Sequence, residues 1–191
     1  LTIIGGLTLL SSSAYAGVDA EVSYILNTLL FLIGGFLVMW MAAGFAMLES
    51  GLVTSKSVST IAAKNIGLYS IAGLMFWLVG YNLAYGIPEG GYIGTFLPWS
   101  DASSVDTGYS DGSDWFFQMV FCATVCSIVS GTLDERIKIW PFFLFCAILA
   151  GIIYPIEMGW QWGGGHLAAA GFSDFAGSTL VHSAGAAAAL A

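Results

Sequence analysis

Five stretches of this chain contain no Asp, Glu, Lys or Arg: residues 22–48, 65–88, 115–133, 139–156 and 175–191. The first four are near the roughly 20 residues an α-helix needs to cross a bilayer core. None alternates apolar and polar residues over about ten positions, as membrane strands do. The whole chain is only 8% charged, against about 25% for a soluble domain. So few charges cannot cover a water-facing surface. The chain therefore reads as all-α, a polytopic bundle whose outer surface meets lipid. The fifth stretch, at roughly 17 residues, is short of a full crossing, so the 191 residues read as part of a longer protein.

The start of the chain is a separate unit. Residues 1–10 are apolar, Ser11–Ser13 follow, and Ala14-Tyr15-Ala16 matches an A-x-A cleavage pattern. This resembles a secretory signal peptide. It lacks an initiator Met and a basic n-region, so the beginning reads as clipped. Residues 1–16 are set aside and 17–191 taken as the membrane domain, its N-terminus outside. The links between spans one and two and between three and four are then cytoplasmic. Lys56 and Lys64 flank the first; Arg136 and Lys138 sit in the second. All the bases fall on one side, as the positive-inside rule demands. The link 89–114 holds five acidic residues among Gly, Ser and Pro and reads as an outer surface loop. Four bases against twelve acids leave nucleic-acid binding without electrostatic footing. Cys122, Cys126 and Cys146 lie in apolar runs at no zinc spacing and read as small core residues. No nucleophile–base–acid set or phosphate loop appears; no cofactor or metal is implied, and the chain is not read as an enzyme.

A few residues carry chemistry. His182 lies in an otherwise greasy run. With Asp174 capping a helix, eight residues place the imidazole roughly 12 Å below the cap, near the midplane. An ionisable group there marks a cavity-facing site by default. A neutral histidine bonded to a neighbouring helix is equally open from position alone. Ser183, Ala184, Gly185 and Ala186–Ala189 leave little bulk beside it, which suits close helix packing or a narrow lumen. The segment Gln161-Trp162-Gly163-Gly164-Gly165-His166 offers an indole face to a small cation. Trp160 suits the interfacial aromatic belt, and His166 reads as a wet loop residue. Gln118 is polar at lipid depth and needs a partner. Phe121, about a turn and a half inside its run, is placed to plug a mouth. Glu49 reads as an end-of-helix carboxylate paired locally.

Together these motifs resemble the ammonium transporter family, related to the Rhesus glycoproteins. The matching segments are AGFAMLESGLVTSKS (43–57), KNIGLYSIAGLMFWLVGYNLAYG (64–86), FFQMVFCATVCSIVSGTLDERIK (116–138), WQWGGGHL (160–167) and DFAGSTLVH (174–182). The resemblance implies the first five helices of an eleven-helix fold in the inner (plasma) membrane, with an outside N-terminus and a homotrimeric assembly. It implies that Trp162 belongs to an external cation-recruitment site and Phe121 to an outer gate. Asp174 would act through structure and electrostatics. His182 would be the first of two lumen histidines. The second histidine, an inner gate phenylalanine and a vestibule serine would lie in further sequence. A PII-type regulator at the cytoplasmic face is a family expectation. Residues between spans two and three match no family pattern, and Asp134 stands where the family often has a small residue.

These roles have a physical logic. Moving bare ammonium into a low-dielectric medium carries an idealised cost of order 20 kcal/mol, while a Trp face supplies about 0.5–2 kcal/mol. The expected mechanism is recruitment of the cation, deprotonation, and passage of ammonia along a greasy lumen. A desolvated, neutral imidazole then hydrogen-bonds ammonia or relays the proton. The imidazole is thus expected to border a water-poor conduit inside the bundle. An ammonium sensor, with the same scaffold fused to a signalling domain, is the alternative. A Rhesus-type gas channel lacks the Trp-lined site, and a purely structural subunit leaves Trp162, Asp174 and His182 unexplained.

Overall fold

The computed structural model describes residues 19–191, so the signal-peptide expectation for 1–16 lies outside the described residues. Every regular element among the described residues is helical. Helix α1 spans Ala20–Leu52, and Asp19 caps it by accepting from the Glu21 N–H at 2.9 Å. Helix α2 spans Val58–Tyr85, α3 spans Asp111–Thr132, and α4 covers 139–161. A single turn, α5, covers His166–Ala169, and α6 covers Leu180–Leu190. Helices α1 to α4 are long and apolar enough to cross a membrane.

Helix α3 is the axis of the bundle. Val120, Cys122, Ala123, Val125, Cys126 and Val129 are all buried on it, and α1, α2, α4 and α6 pack around it. Small side chains there allow close helix approach where lipid supplies no hydrophobic drive. On α1 only Gly35 and Glu49 are buried. Trp40, at 72% exposed, and Leu30, at 68%, point away from the bundle, as lipid-facing residues do. The seam between α1 and α3 needs Gly34 and Gly35. A Cβ on Gly35 would sit 2.6 Å from the Phe116 ring, and one on Gly34 2.8 Å from the Phe117 ring.

Two π-helical turns, Phe76–Gly80 in α2 and Leu149–Ile153 in α4, pack against each other. The second has a local cause. In the widened turn the Tyr154 N–H reaches the Leu149 carbonyl, so the next donor would serve Ala150. That residue is Pro155, which has no N–H. The Cys122 thiol takes its place, donating to the Ala150 carbonyl at 3.2 Å. The cysteine is thus a core residue that also satisfies a carbonyl stranded by proline.

Each of the first four helices contains most of its uncharged run, but the ends differ: α2 begins at Val58 and α4 runs on to Gln161. The fifth differs. Residues 175–179 are not helical, and α6 begins only at Leu180. The cause is Asp174, which folds the preceding segment around its own carboxylate.

The other end of the bundle, here the Lys64 end, also departs from expectation. Lys64 is not a surface charge flanking a link but is 4% exposed within the bundle. Its Nζ lies 3.2 Å from Glu49, pairs with Asp134, and donates to the Ser130 carbonyl at 3.0 Å. It also stands 5.3 Å from the centre of the Phe142 ring. Glu49, 1% exposed, accepts from the Ser130 hydroxyl at 2.6 Å and the Asn65 amide at 2.8 Å. Glu49 is therefore paired across three helices rather than locally, and Asp134 completes the cluster.

Candidate functional site

The opposite end holds a cavity of about 470 Å³. Its floor is Trp162 and Phe121, whose rings meet edge to face at 5.3 Å and 66°. Phe117 stands at 5.2 Å and 88° to Phe121, and Phe31 at 5.3 Å from Phe117. Tyr81, Tyr85, Tyr109 and Phe175 continue the wall, with Asp114 and Gln118 as its polar members. A cluster of ring faces with one carboxylate attracts small cations, not anions.

Trp162 is held there by backbone geometry. It ends α4, its N–H bonded to the Met158 carbonyl at 2.9 Å. The chain then turns sharply so that a Cβ on Gly163 would overlap the Ala84 carbonyl at 1.9 Å. Only glycine allows the end of α4 to press so closely on α2. The indole Nε1–H donates to the Asp174 carbonyl at 2.7 Å, which fixes the ring plane beside Phe121.

Asp174 is the organiser of the 173–179 segment. Its Oδ1 accepts from the N–H groups of Gly177 at 2.9 Å and Ser178 at 3.1 Å. Its Oδ2 accepts from those of Thr179 at 2.8 Å and Leu180 at 2.7 Å. Thr179 and Leu180 open α6, where N–H groups have no helical partner, and Gly177 and Ser178 belong to the loop before it. Burial pushes the carboxyl pKa up, but the four backbone donors outweigh it and hold it below the ordinary 3.8. Gly177 has φ +77°, and a Cβ there would meet Val181 at 2.5 Å and Trp162 at 3.0 Å. The expected cap is present, but it wraps a loop rather than opening a helix at residue 175.

The structure brings Trp162, Phe121 and Asp174 together; His182 stands apart from them. The later start of α6 puts His182 in its first turn, about 3 Å along the axis from Leu180, rather than roughly 12 Å below the cap. Leu180, Val181 and Gly185 are the buried face of α6, with Gly185 seated on Ile128. One position on from Val181, His182 turns out of that face and is exposed. The expected enclosure of the imidazole is therefore not built by residues 19–191. Beside α6, Ser183, Ala184 and Ala187 line an apolar groove of about 680 Å³ with Tyr154 and Glu157.

His166 is not a wet loop residue. Its ring stacks on Tyr92 at 4.3 Å and meets Trp160 edge to face at 5.0 Å. Gln118 finds the partner it needs, its Nε2 donating to Asp114 at 3.2 Å. Asp114, Tyr81, Tyr109 and Phe31 were not legible as cavity residues. Asp114 reads as one acid of a surface loop, and only its spacing of four from Gln118 hints that both share a helix face.

The family model for the Ammonium Transporter Family matches residues 29–191. Ammonium transporter Amt2 of Archaeoglobus fulgidus is 41% identical over 164 residues, covering 81% of this chain and 35% of that protein. A solved structure described as a sensor Amt protein superposes with TM-score 0.79 at 32% identity, covering 87% of this chain and 43% of that one. The Mep2 structure from Candida albicans superposes with TM-score 0.76 at 25% identity, covering 91% and 40%. The chain thus spans well under half the length of these relatives. An all-helical bundle with an aromatic pocket at one end, matched by the family model over residues 29–191, has one consistent reading: this chain belongs to the ammonium transporter family.

Proposed function

We propose that the chain forms the recruitment side of a transmembrane path for ammonium and ammonia. What carries the reading is the Trp162–Phe121 pair at the floor of an aromatic cavity, its indole anchored on Asp174. The cation collects against the Trp162 face, Phe121 bars bulk water, and the proton leaves before ammonia enters the membrane. Asp174 acts by holding the loop and its negative charge at the mouth. His182 borders the path along the exposed face of α6, the opposite wall coming from the length that this chain does not span in its relatives. The Trp162 end faces outward and the Lys64 end the cytoplasm of a plasma (inner) membrane, which the grouping of all four bases at the latter supports. Residues 17–191 then form the start of an eleven-helix domain that assembles as a homotrimer and meets a PII-type regulator inside. Nitrogen uptake is the corresponding physiological role.

The test is electrophysiology on the full-length protein in liposomes. Trp162→Leu removes the cation–π face and the hydrogen bond that orients it. Its KM for ammonium is expected to rise about tenfold, from the roughly 0.5–2 kcal/mol of the ring and the lost anchor. His182→Ala is expected to change charge movement and selectivity. Unaltered currents in both variants sink the proposal.

A second reading has one specific support: the superposed structure is itself described as a sensor. On that reading the same cavity binds ammonium and relays occupancy to a signalling domain. A full-length protein that binds ammonium but carries neither current nor uptake decides for sensing.

A further inference from the structure

The link 89–114 is two different segments. Its acids are Glu89, Asp101, Asp106, Asp111 and Asp114, so residues 90–100 carry no charge. That uncharged stretch turns back and runs along α2 as a strap. The Thr95 N–H donates to the Asn82 carbonyl at 3.0 Å, and the Trp99 N–H to the Trp77 carbonyl at 2.8 Å. The second bond has a local cause: in the π-helical turn the Tyr81 N–H reaches back to Phe76 instead of Trp77. The Asn82 Nδ2 donates to the carbonyls of Leu97 at 2.9 Å and Pro98 at 3.0 Å. Nearer the start of the strap, the Trp160 indole N–H donates to the Tyr92 carbonyl at 2.8 Å, and the His166 N–H to the Gly91 carbonyl at 3.0 Å.

The level of the strap follows from α2. Lys64 belongs to the buried ion cluster at one end, and Tyr81 donates to Asp114 at the other. Residues 64 and 81 lie about 26 Å apart along the helix, close to the ~30 Å of a hydrocarbon core. The bonds at Trp77 and Asn82 bracket Tyr81, so the strap straddles the edge of that core. Its side chains suit the place. Tyr92, Ile93, Phe96 and Leu97 are each more than half exposed, and they continue the exposed apolar surface of Leu74 and Trp77 on α2. Its backbone limits the depth. Among the described residues, the backbone groups of Ile93, Gly94 and Phe96 have no hydrogen-bond partner. Hydrocarbon does not tolerate such groups, and a dry contact with another protein would strand them as well. Apolar side chains on a backbone that needs water fit one environment, the layer where headgroups meet acyl chains.

We propose that residues 90–100 are an interfacial membrane strap whose partner is the lipid leaflet at the Trp162 end. Ile93, Phe96 and Leu97 dip into the acyl-chain boundary, while the backbone and Tyr92 stay in the hydrated headgroup layer. The strap also ties that layer to the rest of the fold. Through Asn82 it is fastened to the last turns of α2, and through Trp160 and His166 to the turn that follows α4. The proposal holds whichever side of the membrane that end faces, and it does not depend on what the chain transports.

The experiment places a nitroxide label on Ile93→Cys, Phe96→Cys or Asp106→Cys in full-length protein in phosphatidylcholine liposomes. Cys122, Cys126 and Cys146 are buried and stay unlabelled. Spin relaxation then reads collisions with oxygen, which concentrates among acyl chains, and with a neutral nickel chelate, which stays in water. Asp106, exposed in the acidic half of the link, is the water-facing control. The oxygen-to-chelate ratio is expected to be several-fold higher at positions 93 and 96 than at 106. Both substituted side chains point out of the fold, and a variant that does not reconstitute leaves the other to decide. Ratios at 93 and 96 equal to that at 106 overturn the proposal, because the strap then lies in water. Immobile labels shielded from both reagents overturn it as well, because protein and not lipid then covers this face.

Discussion

Asp174→Ala is expected to unfold the 173–180 segment and abolish ammonium-dependent transport. Four backbone N–H groups lose their acceptor at once, and those of Gly177 and Leu180 are buried. An unsatisfied buried donor costs about 1–3 kcal/mol, so these two alone cost about 2–6 kcal/mol. Thermal unfolding in detergent should show a fall in Tm of about 10 °C. The indole of Trp162 loses its fixed partner because the Asp174 carbonyl moves with the loop. Asp174→Asn is no rescue: one carboxylate oxygen becomes an NH₂ facing two N–H donors. An Asn variant as stable as wild type refutes this account. The same carboxylate sets a pH dependence. Its folded pKa lies below the ordinary 3.8, so its contribution is complete above that value. The contribution is lost as pH falls through the folded pKa. Unfolding midpoints should therefore drop below about pH 4 in wild type, and this part of the drop should vanish in Asp174→Ala.

Lys64→Met is the second large effect, and it acts at the other end. The Lys64 ammonium is shared by Glu49 and Asp134, and it also donates to the Ser130 carbonyl. Removing it leaves a fully buried Glu49 carboxylate with only the neutral donors Ser130 and Asn65. Breaking a buried pair from one side costs about 3–5 kcal/mol, whereas replacing the whole set by neutral groups is often harmless. The double variant Glu49→Gln with Lys64→Met should therefore be more stable than Lys64→Met alone. Denaturation in detergent measures both, and adding Glu49→Gln alone completes the cycle that yields their coupling energy. A single variant with wild-type stability shows the cluster to be energetically idle. The outer cavity is unaltered, so KM for ammonium in the surviving folded fraction should be unchanged.

Much of the fold was readable in the sequence because lipid imposes a simple rule. A segment that must satisfy its own backbone and face hydrocarbon is written as an uncharged run, and each of α1 to α4 is built on one such run. The residues whose identities are unusual in their surroundings were also readable: Trp162 beside three glycines, Phe121 below the mouth, Asp174 ahead of His182. Three kinds of feature were not. Asp114 looks like its loop neighbours Asp106 and Asp111 until the first turn of α3 rotates it inward. Lys64 and Glu49 look like charges at helix ends, because linear distance along a span does not reveal which face meets another helix. His166 looks like a loop residue until Tyr92, distant in sequence, stacks on it.

The chain alone thus determined a membrane-crossing helical bundle, the grouping of its bases at one end, and which few residues stand out as candidates for handling a small cation. These follow from local solvation, which each segment encodes by itself. The tertiary structure alone decided that Asp174 delays α6 until Leu180, that His182 faces out of this half of the bundle, and that Asp114 and the tyrosines share one cavity with Trp162. Those outcomes depend on rotation and contact between helices far apart in sequence, which no single segment specifies.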